Sequence, residues 1–236
     1  MSTEMVAIGI LWYVVFLLST TAHEASHALV AKLGGDPTAF HGGQVSLNPW
    51  PHIRREPFGM VLLPIISYAS GGWMMGWASA PYDPAWQLKH PRRAAWMSLA
   101  GPAANFTLVL IAAIAVHAGI AIGTFQAPDS VSFQRIVEAN TPGIAEGAAK
   151  FFSLLFSLNV LLGAFNLLPI PPLDGYGALG LFLTDEGGRR LETLRRSVRS
   201  FSFIGLLLCW QLFGKLYGPL FGFALRVLYP SLHYGG

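Results

Sequence analysis

The chain has 236 residues, of which 53% are hydrophobic and only 11% are charged. Soluble domains carry about 25% charged residues, so this composition predicts a membrane protein and excludes an ordinary soluble fold. The net charge of +3 does not indicate nucleic-acid binding, because the basic residues lie in short loops between apolar segments. The single cysteine, Cys209, excludes a disulfide framework and a thiolate metal site.

The first apolar segment covers residues 5–33 and is long enough to cross a bilayer as a tilted helix. We expect it to be retained, because it lacks the basic start of a signal peptide and exceeds the usual apolar length. The segment contains His23, Glu24 and His27 in the pattern H-E-x-x-H. Ionisable side chains at membrane depth are costly and usually functional, so these three residues are the first candidates for a functional site.

The spacing of the two histidines indicates a metal site. Residues four apart lie on one face of an α-helix, so the imidazoles of His23 and His27 can converge on one Zn²⁺. A carboxylate at the position of Glu24 can reach a metal-bound water. The alternative is a polar cluster that packs helices, which would be favoured in a soluble helix but not at membrane depth. The pattern therefore predicts hydrolysis of a bond within the membrane.

Segment 34–57 carries several turn signals, and the short alternation at 43–47 predicts a small β-hairpin or loop. Segment 58–77 is apolar but is interrupted by Pro64 and four glycines, with basic residues beyond both ends. A complete crossing would place one basic loop on the wrong side of the membrane. We therefore expect a broken or re-entrant element that returns to the same side, with a complete transmembrane helix as the alternative.

Two further spans are predicted at 96–121 and 151–170, separated by a polar stretch. The apolar region after residue 200 fits either one tilted helix or a helix followed by an interfacial piece. Eleven of the fifteen Lys and Arg residues fall in three loops, at 32–57, 78–95 and 185–199. Because basic loops stay in the cytoplasm, the histidine end of the first helix is expected near the cytoplasmic face.

The expected fold is an all-α polytopic membrane protein of about four to six transmembrane helices, with a small membrane-associated β-hairpin and a broken or re-entrant segment. A single transmembrane domain is expected over residues 1–236. The expected location is a prokaryotic inner membrane, as an integral multi-pass protein with its functional site nearer the cytoplasmic side.

A third ligand is required, because catalytic zinc usually has three protein ligands and one open position. Asp174 is the strongest candidate, since it follows the proline-rich end of span 151–170 and precedes Gly175. Prolines break a helix and turn the chain, and glycine permits a close backbone approach. A turn or capping role for Asp174 is the alternative, and it is compatible with ligation.

Three motifs, in this order and at these separations, resemble the site-2 protease family of intramembrane zinc metalloproteases. They are the histidine motif at 23–27, the Gly-Pro-Ala-Ala-Asn segment at 101–105, and the Asn-x-x-Pro to Asp-Gly segment at 166–175. The resemblance implies one bound Zn²⁺ with His23, His27 and Asp174 as its ligands. It also implies a compact form of the family, with no room for the PDZ or CBS domain that many members carry.

The resemblance further implies that Glu24 is the general base and that Asn166 is a catalytic residue near the metal, in contact with the substrate backbone or the oxyanion. An interhelical hydrogen bond is an equal alternative for Asn166. Segment 101–105 is expected to be structural, with its proline in a first helical turn and its small residues in close helix packing. Asn105 is a second candidate for the oxyanion contact.

The expected function is hydrolysis of a peptide bond in or near a transmembrane segment of a membrane-protein substrate, by a zinc-activated water with Glu24 as general base. The expected partners are that substrate and the lipid bilayer, without nucleic acid. One alternative is an ion or metal transporter, which would need no general base. The other is a non-catalytic, protease-like scaffold, against which the intact motifs argue.

Overall fold

The computed structural model describes residues 3–198 and 202–231. Its helices, in chain order, are α1 (Thr3–Leu33), α2 (Thr38–His41), α3 (Pro49–Arg55), α4 (Leu63–Gly71), α5 (Pro84–Lys89), α6 (Pro91–Ala121), α7 (Ile144–Asn166), α8 (Asp174–Ala178), α9 (Asp185–Ser197) and α10 (Ser202–Leu228). A π-helix at Phe58–Leu62 precedes α4, and a 3₁₀-helix at Leu179–Phe182 follows α8. The strands β1 (Phe125–Gln126) and β2 (Glu138–Ala139) pair antiparallel. The predicted all-α class with one small sheet is confirmed.

Helices α1, α6 and α7 pack against one another and form a central bundle. Within the described part of the chain, three helices are long and apolar enough to cross a membrane, and they are these three. The bundle interior is apolar, with Trp12, Val15, Val116 and Leu154 among its buried residues. Lipid is as apolar as these side chains, so close packing and interhelical hydrogen bonds, rather than escape from water, stabilise the bundle.

Segment 58–77, which was predicted to be broken or re-entrant, turns back on itself. Its π-helix and α4 run beside α1 towards the start of that helix, where Tyr68 Oη donates a hydrogen bond of 2.9 Å to a first-turn carbonyl. The chain then turns at Gly72, which has a φ of 67°, and continues without regular secondary structure. The Trp77 N–H bonds to the Gly59 carbonyl at 3.1 Å, so the two ends of the segment lie side by side. The predicted broken element is confirmed, and the chain within it returns to the side from which it starts.

For residues 43–47, where a small β-hairpin or a loop was predicted, the hairpin is wrong and the loop is confirmed. These residues form no strand, and the sheet lies instead in the stretch between α6 and α7. The Gln44 N–H bonds to the Ala39 carbonyl, and the buried Gln44 side chain donates to the Ser79 carbonyl at 2.9 Å. The alternation at 43–47 therefore belongs to a turn that is anchored by one buried amide.

Two helix boundaries differ from prediction. Helix α6 begins at Pro91, five residues before the predicted span, which places Pro102 in the helix interior and not in a first turn. Helix α7 ends at Asn166, before the prolines, because proline disfavours helical geometry in the residue before it. The last apolar region forms one continuous helix, α10. Arg199, the end of the predicted basic loop, lies outside the described residues.

The two arms of the re-entrant segment are close enough to require glycine. A Cβ on Gly76 would lie 2.3 Å from the Gly59 carbonyl oxygen. We expect Gly76→Ala to lower the free energy of unfolding by about 1–3 kcal/mol, because the backbone of one arm must move. Thermal unfolding in detergent measures the effect. Gly214→Ala on α10 is the control, since a Cβ there has nothing within 4 Å, and equal melting temperatures for the two variants would contradict the packing described.

Candidate metal site

Two imidazoles from α1 form one side of the candidate site. His23 and His27 lie one helical turn apart on the same face, and their Nε2 atoms are 3.0 Å apart. Both side chains are buried, with 7% and 9% of their residue surface exposed. His23 precedes the end of α1 by ten residues, or about 15 Å by the rise of an α-helix. The pair is therefore held well inside the apolar part of the molecule.

Asp174 reaches the histidines through the turn that follows α7. It is the first residue of α8, which packs against α6. Gly175 permits this turn, since a Cβ there would lie 2.1 Å from a backbone carbonyl oxygen at the end of α7. Asp174 Oδ2 lies 3.0 Å from His23 Nε2 and 3.3 Å from His27 Nε2. The structure thus brings together the three predicted ligands from distant parts of the chain.

The hydrogen bond made by Nδ1 of each histidine determines whether its Nε2 can bind a metal. His27 Nδ1 lies 2.7 Å from the Met97 carbonyl oxygen, which can only accept, so this Nδ1 carries the proton. His23 Nδ1 lies 2.6 Å from Oδ1 of Asn105 and donates in the same way. In a neutral imidazole with its proton on Nδ1, Nε2 carries a lone pair, so both neutral rings present lone pairs towards Asp174. Asp174 Oδ2 has no hydrogen-bond partner among the described residues.

Three acceptor atoms that face one another in a buried space repel unless a cation lies between them. The three ligand atoms lie within 4.8 Å of one another. Two imidazole nitrogens and one carboxylate oxygen match the ligands of catalytic zinc, so the site fits Zn²⁺.

Helix α6 contacts the ligand atoms directly at Gly101. A Cβ on this residue would lie 2.3 Å from His27 Nε2 and 2.5 Å from His23 Nε2. The next residue, Pro102, has no N–H and so leaves one carbonyl of the preceding turn without its helical donor. Segment 101–105 therefore has a role besides helix packing, because Gly101 keeps the space around the ligand atoms open.

Two predicted site residues, Glu24 and Asn166, lie outside the ligand cluster. Glu24 is buried and follows His23 on α1, and its side chain makes no hydrogen bond to another described residue. Its carboxylate is therefore available to a water or a substrate. Asn166 is half-buried at the end of α7, and its Nδ2 donates to the Leu162 carbonyl of the same helix at 3.0 Å. This is not the interhelical hydrogen bond considered from the sequence.

Asn105 lies behind His23 and not in front of it. Its residue is fully buried, its Oδ1 accepts from His23, and its Nδ2 donates to Asn159 Oδ1 at 2.7 Å. This engagement on both sides gives Asn105 a structural role behind His23, and its contact with a substrate oxyanion stays a prediction. Asn159 was not predicted, although an amide within an apolar span is a signal that the sequence carries. The contribution of Met97 is a backbone carbonyl, for which residue type gives no signal.

The open space at Gly101 yields a test of the site. We expect Gly101→Ala to weaken Zn²⁺ binding by about 5- to 150-fold, because overpacking of about 1–3 kcal/mol displaces the imidazoles. Competitive titration of the purified protein with a chromogenic chelator measures the affinity. Gly147→Ala on α7, where a Cβ has nothing within 4 Å, is the matched control. Unchanged affinity in Gly101→Ala would show that metal binds elsewhere.

Residues 11–211 of the chain match peptidase family M50. YwhC, a candidate zinc metalloprotease of Bacillus subtilis (strain 168), is 34% identical over 164 residues, which cover 69% of this chain and 64% of YwhC. Rip2 of Mycolicibacterium smegmatis, also a candidate zinc metalloprotease, is 32% identical over 77% of this chain and 60% of its own length. Rip2 of Mycobacterium tuberculosis (strain ATCC 35801 / TMC 107 / Erdman) is 30% identical over 87% of this chain and 70% of its own length.

The chain thus spans between 60% and 70% of the length of these curated relatives. No solved structure gives a significant match. The matched region contains the histidine motif, segment 101–105 and Asp174, which are the parts that form the candidate metal site. The resemblance inferred from these motifs is confirmed, and the chain belongs to peptidase family M50, the family of the site-2 proteases.

Proposed function

We propose that the protein is an integral membrane zinc metalloprotease that hydrolyses a peptide bond in or near a transmembrane segment of a membrane-protein substrate. The observation that carries this proposal is the convergence of His23 Nε2, His27 Nε2 and Asp174 Oδ2 at membrane depth. Glu24 follows His23 directly on α1. Membership of family M50 and the names of the relatives support the same activity. We also propose that residues 1–236 act as one transmembrane catalytic domain.

The two imidazoles and the Asp174 carboxylate are the proposed ligands of one Zn²⁺, which when bound supplies Lewis-acid polarisation and makes water a stronger acid. Glu24 takes a proton from the attacking water as general base. The water oxygen forms a bond to the scissile carbonyl carbon, and the carbon–nitrogen bond then breaks. Glu24 returns the proton to the leaving amine nitrogen, so the carboxylate is regenerated at the end of the cycle.

Asn166 is the proposed second contact for the substrate. One N–H of its amide is engaged with the Leu162 carbonyl, which leaves the other to donate to the substrate backbone or to the oxygen that gains charge. Its place at the end of α7, shortly before the turn that carries Asp174, supports this role. A helical substrate must unwind locally to reach these groups, because helical carbonyls are already hydrogen-bonded.

Glu24 provides the test of the proposed activity. We expect Glu24→Gln to retain about one Zn²⁺ per chain and to cleave a membrane-helix reporter about 10²- to 10⁴-fold more slowly than wild type, because it removes the general base and no ligand. Zinc content and reporter cleavage are measured on the same preparations. Glu4→Gln is the matched control, since Glu4 lies on the same helix and is exposed.

Three results would contradict the proposal in different ways. Wild-type cleavage by Glu24→Gln would exclude Glu24 as general base. No bound zinc in folded wild type, even after zinc is supplied, would exclude the metalloprotease. Zinc-dependent ion flux that Glu24→Gln leaves intact, without cleavage of any reporter, would favour a transporter.

We propose further that the protein lies in a prokaryotic inner membrane with the metal site nearer the cytoplasm. The concentration of basic residues in loops 32–57, 78–95 and 185–199 supports this orientation. The re-entrant segment supports it as well, since both of its ends meet those basic loops on one side.

Cysteine labelling in bacterial spheroplasts tests the orientation. In a Cys209→Ala background, we expect Asp129→Cys to react with a membrane-impermeant maleimide in intact spheroplasts. Leu47→Cys and Arg190→Cys are expected to react only after permeabilisation, because their loops face the cytoplasm. The native residues at all three positions are exposed, so a lack of labelling is not explained by burial. The reverse pattern would contradict the proposed orientation.

A further inference from the structure

A line of buried polar side chains leads away from the candidate metal site on the side opposite Asp174. It consists of Asn105 on α6, Asn159 on α7 and Ser19 on α1, each fully buried. Every helix of the central bundle contributes one residue to it. We propose that Asn105 and Asn159 are positioning residues, which together hold the His23 imidazole in the tautomer that presents Nε2 to the metal. The proposal rests on the proposed function only for the identity of the metal.

A backbone carbonyl at the end farthest from the metal site determines which atom donates in each hydrogen bond of this line. The amide of Asn159 lies 2.8 Å from the Leu155 carbonyl oxygen, one turn earlier on α7. A carbonyl oxygen can only accept, so the Asn159 atom that faces it is Nδ2. The same Nδ2 lies 2.8 Å from Ser19 Oγ, which can accept its second proton. With both N–H groups used in this way, Asn159 Oδ1 must point towards Asn105.

The tautomer of His23 follows from this orientation in two steps. Asn159 Oδ1 has no proton, so the Asn105 atom that lies 2.7 Å from it must be the donor Nδ2. Asn105 Oδ1 then faces His23 Nδ1 at 2.6 Å, and this Nδ1 must carry the proton. A flip of either amide would set two acceptors or two donors against each other in a dry interior, and each unsatisfied group would destabilise that arrangement.

The use of two neutral amides has an electrostatic reason. A carboxylate behind a ligand histidine would orient the ring in the same way, but it would add a negative charge at membrane depth. Glu24 and Asp174 already place two carboxyl groups at the site. Asn105 and Asn159 orient the ring without a further charge. His27 needs no such support, because its Nδ1 donates directly to the Met97 carbonyl.

A role in helix packing alone makes a different prediction. Interhelical hydrogen bonds in membranes contribute modestly to stability, and their loss should lower the melting temperature without changing metal affinity in the folded protein. Ser153 provides the comparison. It lies on α7, is fully buried and accepts a hydrogen bond from the Ile136 N–H at 3.0 Å, but it has no hydrogen bond to the line that ends at His23.

The experiment compares Asn159→Leu, Asn159→Asp and Ser153→Ala by zinc titration against a chelator and by the visible spectrum of the Co²⁺-loaded protein. Leucine has a similar size but neither orients Asn105 nor accepts from it, so we expect zinc affinity to fall on the order of tenfold, with an altered Co²⁺ spectrum. An aspartic acid at position 159 is surrounded by neutral groups, so we expect it to stay protonated and to keep one donor and one acceptor, with affinity within about threefold of wild type. Ser153→Ala should lower the melting temperature and leave affinity and spectrum unchanged.

Wild-type zinc affinity and spectrum in folded Asn159→Leu would overturn the proposal. If the Asn159 variants do not fold, Asn105→Leu and Asn105→Asp repeat the comparison at the residue that contacts His23. We again expect a loss of zinc affinity in the leucine variant and near wild-type affinity in the aspartic acid variant. Wild-type zinc affinity in folded Asn105→Leu would likewise overturn the proposal. The titration needs no substrate, so it decides this proposal even for a protein that cleaves no reporter. A failure of the proposed protease activity and a failure of the positioning role are thereby distinguished.

Discussion

Three electron-pair donors, His23 Nε2, His27 Nε2 and Asp174 Oδ2, are held 3.0–3.3 Å apart in the apolar interior, and much of the structure serves to keep them there. In water these three side chains would move apart or acquire protons. In the apolar interior, acceptor atoms that have no donor destabilise the fold, so the surrounding structure has to hold them in place. The histidines are held by the geometry of one helix. The carboxylate is held by the tight turn at Gly175, and the space between the three atoms is kept open by the absence of a side chain at Gly101.

The bilayer imposes the second requirement, which is that each polar group brought to this depth needs a partner within the protein. Helix α6 supplies two of these partners, the Met97 carbonyl and the Asn105 side chain, and α7 supplies Asn159. The same hydrogen bonds connect the three helices to one another. The same contacts therefore support the ligands and hold the bundle together, so metal affinity and stability have to be measured separately.

Much of the site was predictable because its signals are local. The H-E-x-x-H spacing needs only helical periodicity, and the prolines before Asp174 mark a turn whatever else the chain does. The re-entrant segment was predictable from its glycines and the basic residues beyond both ends. The hairpin at 43–47 was wrong, because five alternating residues do not distinguish a strand from a turn that is anchored by a buried side chain such as Gln44.

Composition and short-range spacing were thus sufficient for the membrane class, the helix that carries the histidines and a short set of candidate ligands, since each depends on residues within a few turns of one another. The proximity of Asp174 to the histidines, and the atoms that orient each imidazole, required the packed helices. The partners of His23 and His27 are 82 and 70 residues away in the chain, and the contact between Asn159 and Ser19 spans 140 residues. Such pairs are selected by how the helices pack, which no local pattern encodes.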